Sequence, residues 1–308
     1  MKKIDIVVPC YNEEKCIELF YSEIKKVFSK INNEYTYKLI FVDDGSNDNT
    51  LNLLKNIREK DNNINIISFS KNFGKEAAIY AGLKSTSSEL VCLMDADLQH
   101  PPQMIPEMLE KMKEENLDVV ATKRKNRKSE KLIKSFFSKM FYKIMKMFVP
   151  IEQGTQDFRI MKKYVVEAVL SLEEYNRFSK GIFSWCGFNV QYIPIDDVPR
   201  KYGDTKWSIR KLFKYAVEGI TSFTTAPLKL SIVLGILISF VTLILAIIIV
   251  LQTLIMGKDV PGYASIIVSV LFVGGIQLLS LGILSEYISK MYLEIKARPK
   301  YIIKEKID

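Results

Sequence analysis

Residues Leu90–Pro102 read LVCLMDADLQHPP. Leu90 to Met94 form an apolar run short enough for a buried strand of a parallel sheet. The run passes directly into Asp95-Ala96-Asp97, then Gln99, then Pro101-Pro102, a pair suited to opening a helix. Two carboxylates at the carboxyl end of a buried strand lie where open α/β sheets bind ligands. Their hard oxygen donors suit Mg²⁺ or Mn²⁺, with substrate phosphates and water completing the coordination. Asp is also a common turn former, so the pattern alone does not decide between a metal site and a loop start.

The flanking sequence repeats the same plan. Ile4–Val8 is a buried strand ending in Pro9-Cys10-Tyr11-Asn12-Glu13-Glu14, where Asn12 can cap a helix that runs to about Lys30. Leu39–Val42 is a strand ending in Asp43-Asp44-Gly45-Ser46-Asn47-Asp48, a polar surface loop at the same sheet edge. Ile64–Phe69 leads to Ser70-Lys71-Asn72-Phe73-Gly74-Lys75 and another helix. Asp118–Ala121, Gln156–Met161 and Val190–Val198 are further strands. Strand–helix alternation at this spacing predicts a doubly wound, mostly parallel sheet with right-handed crossovers. No GxGxxG follows the first strand, which argues against a dinucleotide fold.

The chain has 308 residues and a net charge of +9, which points to an anionic partner. Cys10, Cys16, Cys92 and Cys186 show no metal-binding spacing and read as reduced, packed thiols. His100 is the single histidine, so a His-based triad is excluded. Lys2-Lys3 lead straight into a strand, not into a leader peptide. Leu230–Gly257 and Val260–Ser285 carry no charged residue, and each exceeds the roughly 20 residues that span a bilayer. Cations crowd both outer flanks, from Arg200 to Lys229 and from Lys290 to Lys306, while the connection holds only Lys258. The positive-inside rule then places both termini in the cytoplasm.

Residues 123–146 hold ten Lys/Arg and one acid, Glu130, with apolar pairs such as Phe136/Phe137 and Met140/Phe141 every four residues. This is a basic amphipathic helix suited to an anionic leaflet. A core-packed helix with a solvated basic face is the plainer alternative. The aromatics form an apolar stripe without a recognition motif, which argues against nucleic acid.

VVPCYNEE, FVDDGSNDNT, SKNFGKEAAIYAGL, MDADLQHPP, QDFRI, NRFSKGIFSWCGF, GDTKWS and the segment from GGIQLLSLGILSEY to EIKARPKY occur in order. In this register the chain resembles glycosyltransferase family 2, and within it the polyprenyl-phosphate hexosyltransferases with two C-terminal spans. The resemblance covers nearly the whole chain. It implies a GT-A fold, a Rossmann-like mostly parallel α/β sheet, in residues 1–208 on the cytoplasmic side, including a basic helix over 129–148. It also implies an interfacial helix over 209–227, two membrane helices within 228–290 (about 229–256 and 262–287), and a basic cytoplasmic tail over 291–308. The implied reaction is inverting transfer of a hexose from a UDP-sugar, UDP-glucose first in order, to undecaprenyl phosphate at the cytoplasmic membrane, with Mg²⁺ or Mn²⁺ as cofactor. GDP-mannose is the alternative donor. A homo-tetramer is the implied assembly.

Carried over residue by residue, the resemblance gives Pro9, Tyr11, Asn12 and Glu13 to the base and ribose, with Asp43 or Asp44 reading the uracil. Asp95, Asp97 and Gln99 hold the metal, and Lys75, Ala96, Arg200 and Lys206 complete the donor site. Arg124, Lys134 and Ser138 meet the acceptor phosphate. Asp157, beside the catalytic Asp97, matches the usual candidate base. A phosphate monoester has its second pKa near ~6, however, so little proton removal is required and Asp157 could instead orient the acceptor. A carboxylate beside a dianion needs a cation, here Arg124, Arg159 or the metal, to offset it. The residue types suit the chemistry: a diphosphate leaving group requires charge neutralisation. His100 stands where the family commonly has Asp, and Gln156 where it has Gly. A processive polysaccharide synthase would carry QxxRW and more spans. A scaffold of the same fold would have lost carboxylates or cations.

Overall fold

The computed structural model describes residues 1–125, 152, 154–195, 221–256 and 262–308. The chain divides into two compact units, Met1–Gly219 with Arg298–Asp308, and Ile220–Ala297.

The first unit is built on one eight-stranded sheet in the order β7-β5-β6-β4-β1-β2-β3-β8. Its strands are β1 (Lys2–Cys10), β2 (Tyr35–Asp43), β3 (Ile64–Phe69), β4 (Leu90–Leu93), β5 (Val119–Arg124), β6 (Thr155–Lys162), β7 (Val190–Ile195) and β8 (Ile303–Ile307). The β4-β1-β2-β3 block is parallel, and its strands are almost wholly buried because helices α1 (Ile17–Lys30), α2 (Thr50–Lys60) and α3 (Lys75–Lys84) cover them. Ile17, Phe20, Ile24, Val27 and Phe28 line one side of α1 at helical spacing and enter the main core with Phe41 and Leu54. On the other face, α3 crosses β1 so closely that a Cβ on Gly82 would lie 2.3 Å from Val7 Cγ1. Buried Asp5 fixes the entry to β4 by accepting from the Ser87 and Ser88 amides and the Ser88 hydroxyl. Pro102–Met104 is a 3₁₀ turn that opens α4 (Ile105–Glu114).

The sheet is mostly parallel, as expected, with two antiparallel strands. QDFRI enters as β6, antiparallel to both β4 and β5, so β5 pairs with β6 and β7 and not with β4. Ile303–Ile307, read as part of a basic tail, pairs antiparallel with β3 and closes that edge of the sheet. Its sequence IKEKI alternates charge with apolar residues, the pattern of an edge strand with one wet face. Two short helices, α5 (Lys163–Ser171) and α6 (Ser179–Trp185), follow β6.

The second unit holds α7 (Ala226–Met256) and α8 (Tyr263–Ile295), both long and apolar enough to cross a membrane. Their apolar side chains are broadly exposed, as a lipid-facing surface requires. Lys290 donates to the Ser222 hydroxyl and Tyr287 to the Thr224 carbonyl, polar contacts toward the charged end of α8. The basic helix over 129–148 and most of the interfacial helix over 209–227 lie outside the described residues.

Candidate active site

The loops after β1 and β2 form one polar floor. Asn12 takes φ 56°, a left-handed turn that Asn tolerates. It therefore does not cap α1, which begins at Ile17 after Cys16. Its side chain instead accepts from the Asn47 amide at 2.9 Å, and its own amide donates to the Ser46 hydroxyl at 2.9 Å. The Glu13 amide donates to Thr50 Oγ1, the Glu14 amide to Asp48, and the Asn49 amide to Glu14. Pro9 is buried at the strand end, whereas Tyr11 is 42% exposed and offers its ring to solvent.

Asp43 and Asp44 both sit beneath this floor, almost fully buried. Asp43 accepts from the Ser46 amide and the Ser68 hydroxyl. Asp44 accepts from the Phe73 amide at 2.6 Å and the Gly74 amide at 2.9 Å, tying the β2 loop to the β3 loop. Burial raises the Asp44 carboxyl above the usual range, although those two amides pull the other way. Gly45 permits this junction: at φ +67°, a Cβ there would stand 2.4 Å from the Lys71 carbonyl carbon.

Lys75, the first residue of α3, brings three motifs to one point. Its ammonium lies 2.7 Å from Asp95 and 2.6 Å from Asp157. The strand order explains the meeting, because β6 lies beside β4 and both deliver their carboxylates toward α3. Burial alone would lower the Lys75 pKa, but the two carboxylates outweigh it and hold the ammonium above the usual lysine range. Burial likewise pushes Asp157 up, yet Lys75, Lys180 and Arg159 together hold it well below the usual carboxylate range.

Beside this pair, Asp97 is 8% exposed and accepts from the Gln99 amide at 3.1 Å, a short Asx turn helped by Leu98 at φ 57°. Ala96 is buried between the two carboxylates. Two carboxylates and a carboxamide within five consecutive positions are hard donors of the kind Mg²⁺ and Mn²⁺ use when phosphates supply the remaining oxygens. Among the described residues no cluster of three acidic, His or Cys side chains could hold a metal without such help.

Two sequence departures find physical accounts. Gln156 projects to the face of β6 opposite Asp157, where its carboxamide accepts from Thr122 Oγ1 at 3.0 Å. It therefore fills the sheet interior and leaves the Asp157 side open. His100 is buried and stacks on Phe158 with ring centroids 5.7 Å apart. Burial depresses its pKa despite the pull of Asp95 and Asp97, and Nδ1 has no hydrogen-bond partner.

Arg159 contributes to the positive field at Asp157 but is held by other partners. Its guanidinium donates to the Gln156 and Asp157 carbonyls and packs 3.8 Å over the Phe183 ring, so it locks β6 to α6. Lys75 is the cation in direct contact with Asp157, and Lys180 and Arg159 add to the positive field around it. Lys180 comes from the NRFSKG stretch, where the sequence signal was a motif without an assigned role. Glu76, adjacent to Lys75, accepts from the Ser179 amide and hydroxyl and so anchors that stretch. Arg124 ends β5, its amide bonded to the Gly154 carbonyl. Arg200, Lys206, Lys134 and Ser138 lie outside the described residues.

The pattern of glycosyl transferase family 2 matches residues 5–170, more than half the chain. The chain belongs to glycosyltransferase family 2. In this transferase residues 226–291 also match the GtrB C-terminal hairpin, in agreement with α7 and α8 and with membrane association. The transferase is 40% identical over 304 residues to a prophage bactoprenol glucosyl transferase homolog of Escherichia coli (strain K12), covering 98% of each chain. It is 39% identical over 305 residues to the bactoprenol glucosyl transferase of Shigella phage SfII, again covering 98% of each chain. Glucosyl-3-phosphoglycerate synthase from Mycobacterium tuberculosis, solved with Mn²⁺ and UDP-glucose, shares 16% identity at a TM-score of 0.47. That match covers 71% of this chain and 77% of the other, and it describes chain trace alone.

Proposed function

We propose that the transferase moves a glucosyl group, with inversion, from UDP-glucose to undecaprenyl phosphate at the cytoplasmic face of the cytoplasmic membrane, with both termini in the cytoplasm. The carrying observation is the meeting of Lys75, Asp95 and Asp157 at one edge of the sheet, in a chain that also holds two apolar helices. Full-length likeness to proteins named bactoprenol glucosyl transferase supports the substrate pair.

In this reading Tyr11 stacks on the base, and the stitched floor of Asn12, Glu13, Asp43 and Asp44 reads it. The donor set of Asp95, Asp97 and Gln99 fits Mg²⁺ or Mn²⁺, which when bound supplies charge neutralisation to the departing diphosphate. Asp157 remains ionised across physiological pH and is therefore a weak base. The acceptor phosphate is itself mostly dianionic at pH 7 and attacks without losing a proton. Asp157 then orients Lys75 and Lys180, and these two cations offset the charge of the incoming phosphate.

The test is transfer by membranes carrying the protein, supplied with undecaprenyl phosphate and radiolabelled UDP-glucose, UDP-GlcNAc, UDP-galactose or GDP-mannose. Label from UDP-glucose should enter the lipid fraction. Label from GDP-mannose alone would replace the donor assignment, and no labelled lipid from any donor would overturn the reading.

A further inference from the structure

The residues that follow α8 return to the catalytic sheet and touch β3 and its loop, α3 and the segment at 172–180. The Ser70 amide donates to the Ile302 carbonyl at 3.0 Å, joining this segment to the start of the loop that ends at Lys75. Tyr301 stacks on Phe69, with centroids 4.9 Å apart and planes at 13°. Phe69 in turn meets Phe73 edge to face at 5.8 Å, and the Phe73 amide is the one held by Asp44. One contiguous stack therefore runs from Tyr301 into the 70–74 loop.

Lys300 makes a second connection. Its ammonium donates to the Glu173 carbonyl at 2.8 Å and lies 4.9 Å from the centroid of the Tyr80 ring. The Arg177 guanidinium lies 4.7 Å from the same ring and donates to the Val169 and Leu172 carbonyls. Tyr80 belongs to α3, which begins with Lys75 and Glu76, while Arg177 lies two residues before Ser179 and three before Lys180. Lys300 thus bridges α3, which begins at Lys75, and the 172–180 segment, which ends at Lys180. Beyond it, β8 is secured by Lys55 to Glu305 at 2.7 Å and by Asn65 to Asp308 at 2.7 Å. None of these contacts involves Lys75, Asp95 or Asp157.

We propose that Lys300 and Tyr301 are positioning residues for the transfer centre: they set the distance between the α3 segment bearing Lys75 and the 172–180 segment bearing Lys180. The proposal rests on the reading of that centre as the site of glycosyl transfer. A ring stack and a cation–π contact hold position without touching substrate, so their loss should change turnover more than donor binding. Misplacement of catalytic groups on the ångström scale costs up to about 10²-fold in rate.

The experiment uses the full chain in membranes or nanodiscs. Tyr301→Ala and Lys300→Met should each lower kcat by about tenfold, with the donor KM within about twofold of wild type. Tyr301→Phe, which keeps the ring, and Lys300→Arg, which keeps the cation, should recover most of kcat. Amide hydrogen exchange over residues 70–75 should quicken in Tyr301→Ala while β1 and β2 stay protected, a readout that needs no substrate. A chain stopped after Arg298 should be partly restored by the synthetic peptide of residues 298–308, because an open sheet edge accepts an added strand. Wild-type kcat in both disruptive variants, with exchange at 70–75 unchanged, would overturn the proposal. So would a loss shared equally by Tyr301→Phe, or one that tracks a fall in thermal stability across all variants. Absence of transfer by the wild-type protein would instead count against the proposed reaction, leaving the exchange result to stand separately.

Discussion

Replacing Asp157 with Asn removes one of the two carboxylates that grip Lys75. At 2.6 Å, and with an effective dielectric of about 20, the bare Coulomb attraction is about 6 kcal/mol. Desolvation consumes much of that, and breaking a fully buried pair costs about 3–5 kcal/mol. Lys75 keeps 45% exposure and still holds Asp95 at 2.7 Å, so the net loss of stability should be about 1–2 kcal/mol. Because the folded Asp157 pKa is depressed, its contribution is fully present above the unfolded value near ~3.9 and is lost as pH falls below it. The stability deficit of Asp157→Asn should therefore be constant from pH 6 to 8 and shrink below about pH 4. Turnover should fall by about 10²-fold, since Lys75 and Lys180 lose their common anchor, with UDP binding retained. The assay is initial-rate glucosyl transfer to a polyprenyl phosphate between pH 6 and 8, with UDP affinity measured alongside. A carboxylate ionised throughout that range predicts a loss independent of pH. A loss that shrinks as the acceptor deprotonates itself would restore Asp157 as a base, and near wild-type turnover at pH 6.5 would remove it from the site.

Chelation with EDTA should abolish transfer and Mg²⁺ or Mn²⁺ should restore it, while Asp97→Ala stays folded and inactive; full activity in chelator would undo the DAD assignment. Lys75→Met should lower kcat yet tighten Mn²⁺ binding by the nucleotide-free protein about fivefold, since a half-exposed competing ion pair is worth about 1 kcal/mol; electron paramagnetic resonance titration reads this directly. Gly45→Ala should destabilise by about 2 kcal/mol or more through strain at φ +67° and collision with Lys71, and should weaken UDP binding measured by calorimetry. Gln156→Gly should leave the acceptor KM unchanged while costing about 1–2 kcal/mol in chemical denaturation, because its side chain bonds Thr122 on the far face of the strand. Converting Lys131, Lys134, Lys139 and Lys143 to Gln should raise the acceptor KM and spare UDP affinity, as each cation near an anionic surface is worth about 1 kcal/mol.

Much of the scaffold is legible because buried parallel strands announce themselves as apolar runs, and each such run ends in a polar loop. Asp95, Asp157 and Lys75 could be named from their motifs, but their meeting could not. It depends on β6 running antiparallel beside β4, which no local periodicity encodes. Asn12 reads as a cap by residue type, yet its left-handed backbone turns it into a bridge between loops. Arg159 is one of the cations expected to offset charge at Asp157, and it does contribute, while its guanidinium is also committed to Phe183 and two carbonyls. The part played by Lys75 and Lys180 was not legible. The strand at Ile303–Ile307 escaped notice because alternating charge in a basic stretch looks the same whether it is solvated or half-paired.

That strand also bears on how the molecule comes to exist. β3 is synthesised early, but its outer partner follows both apolar helices in the chain. Until both apolar helices have been made and β8 follows them, Ile66–Phe69 presents open backbone amides and carbonyls along an edge, the kind of surface on which nascent chains pair wrongly. Closure of the sheet is a late, long-range event with a high loop-closure cost. Biogenesis should therefore have a window in which the catalytic half is nearly folded yet sticky. Chains stopped before Ile303, without altering a single catalytic residue, should go into aggregates, and the yield should recover when Ile303–Ile307 is restored.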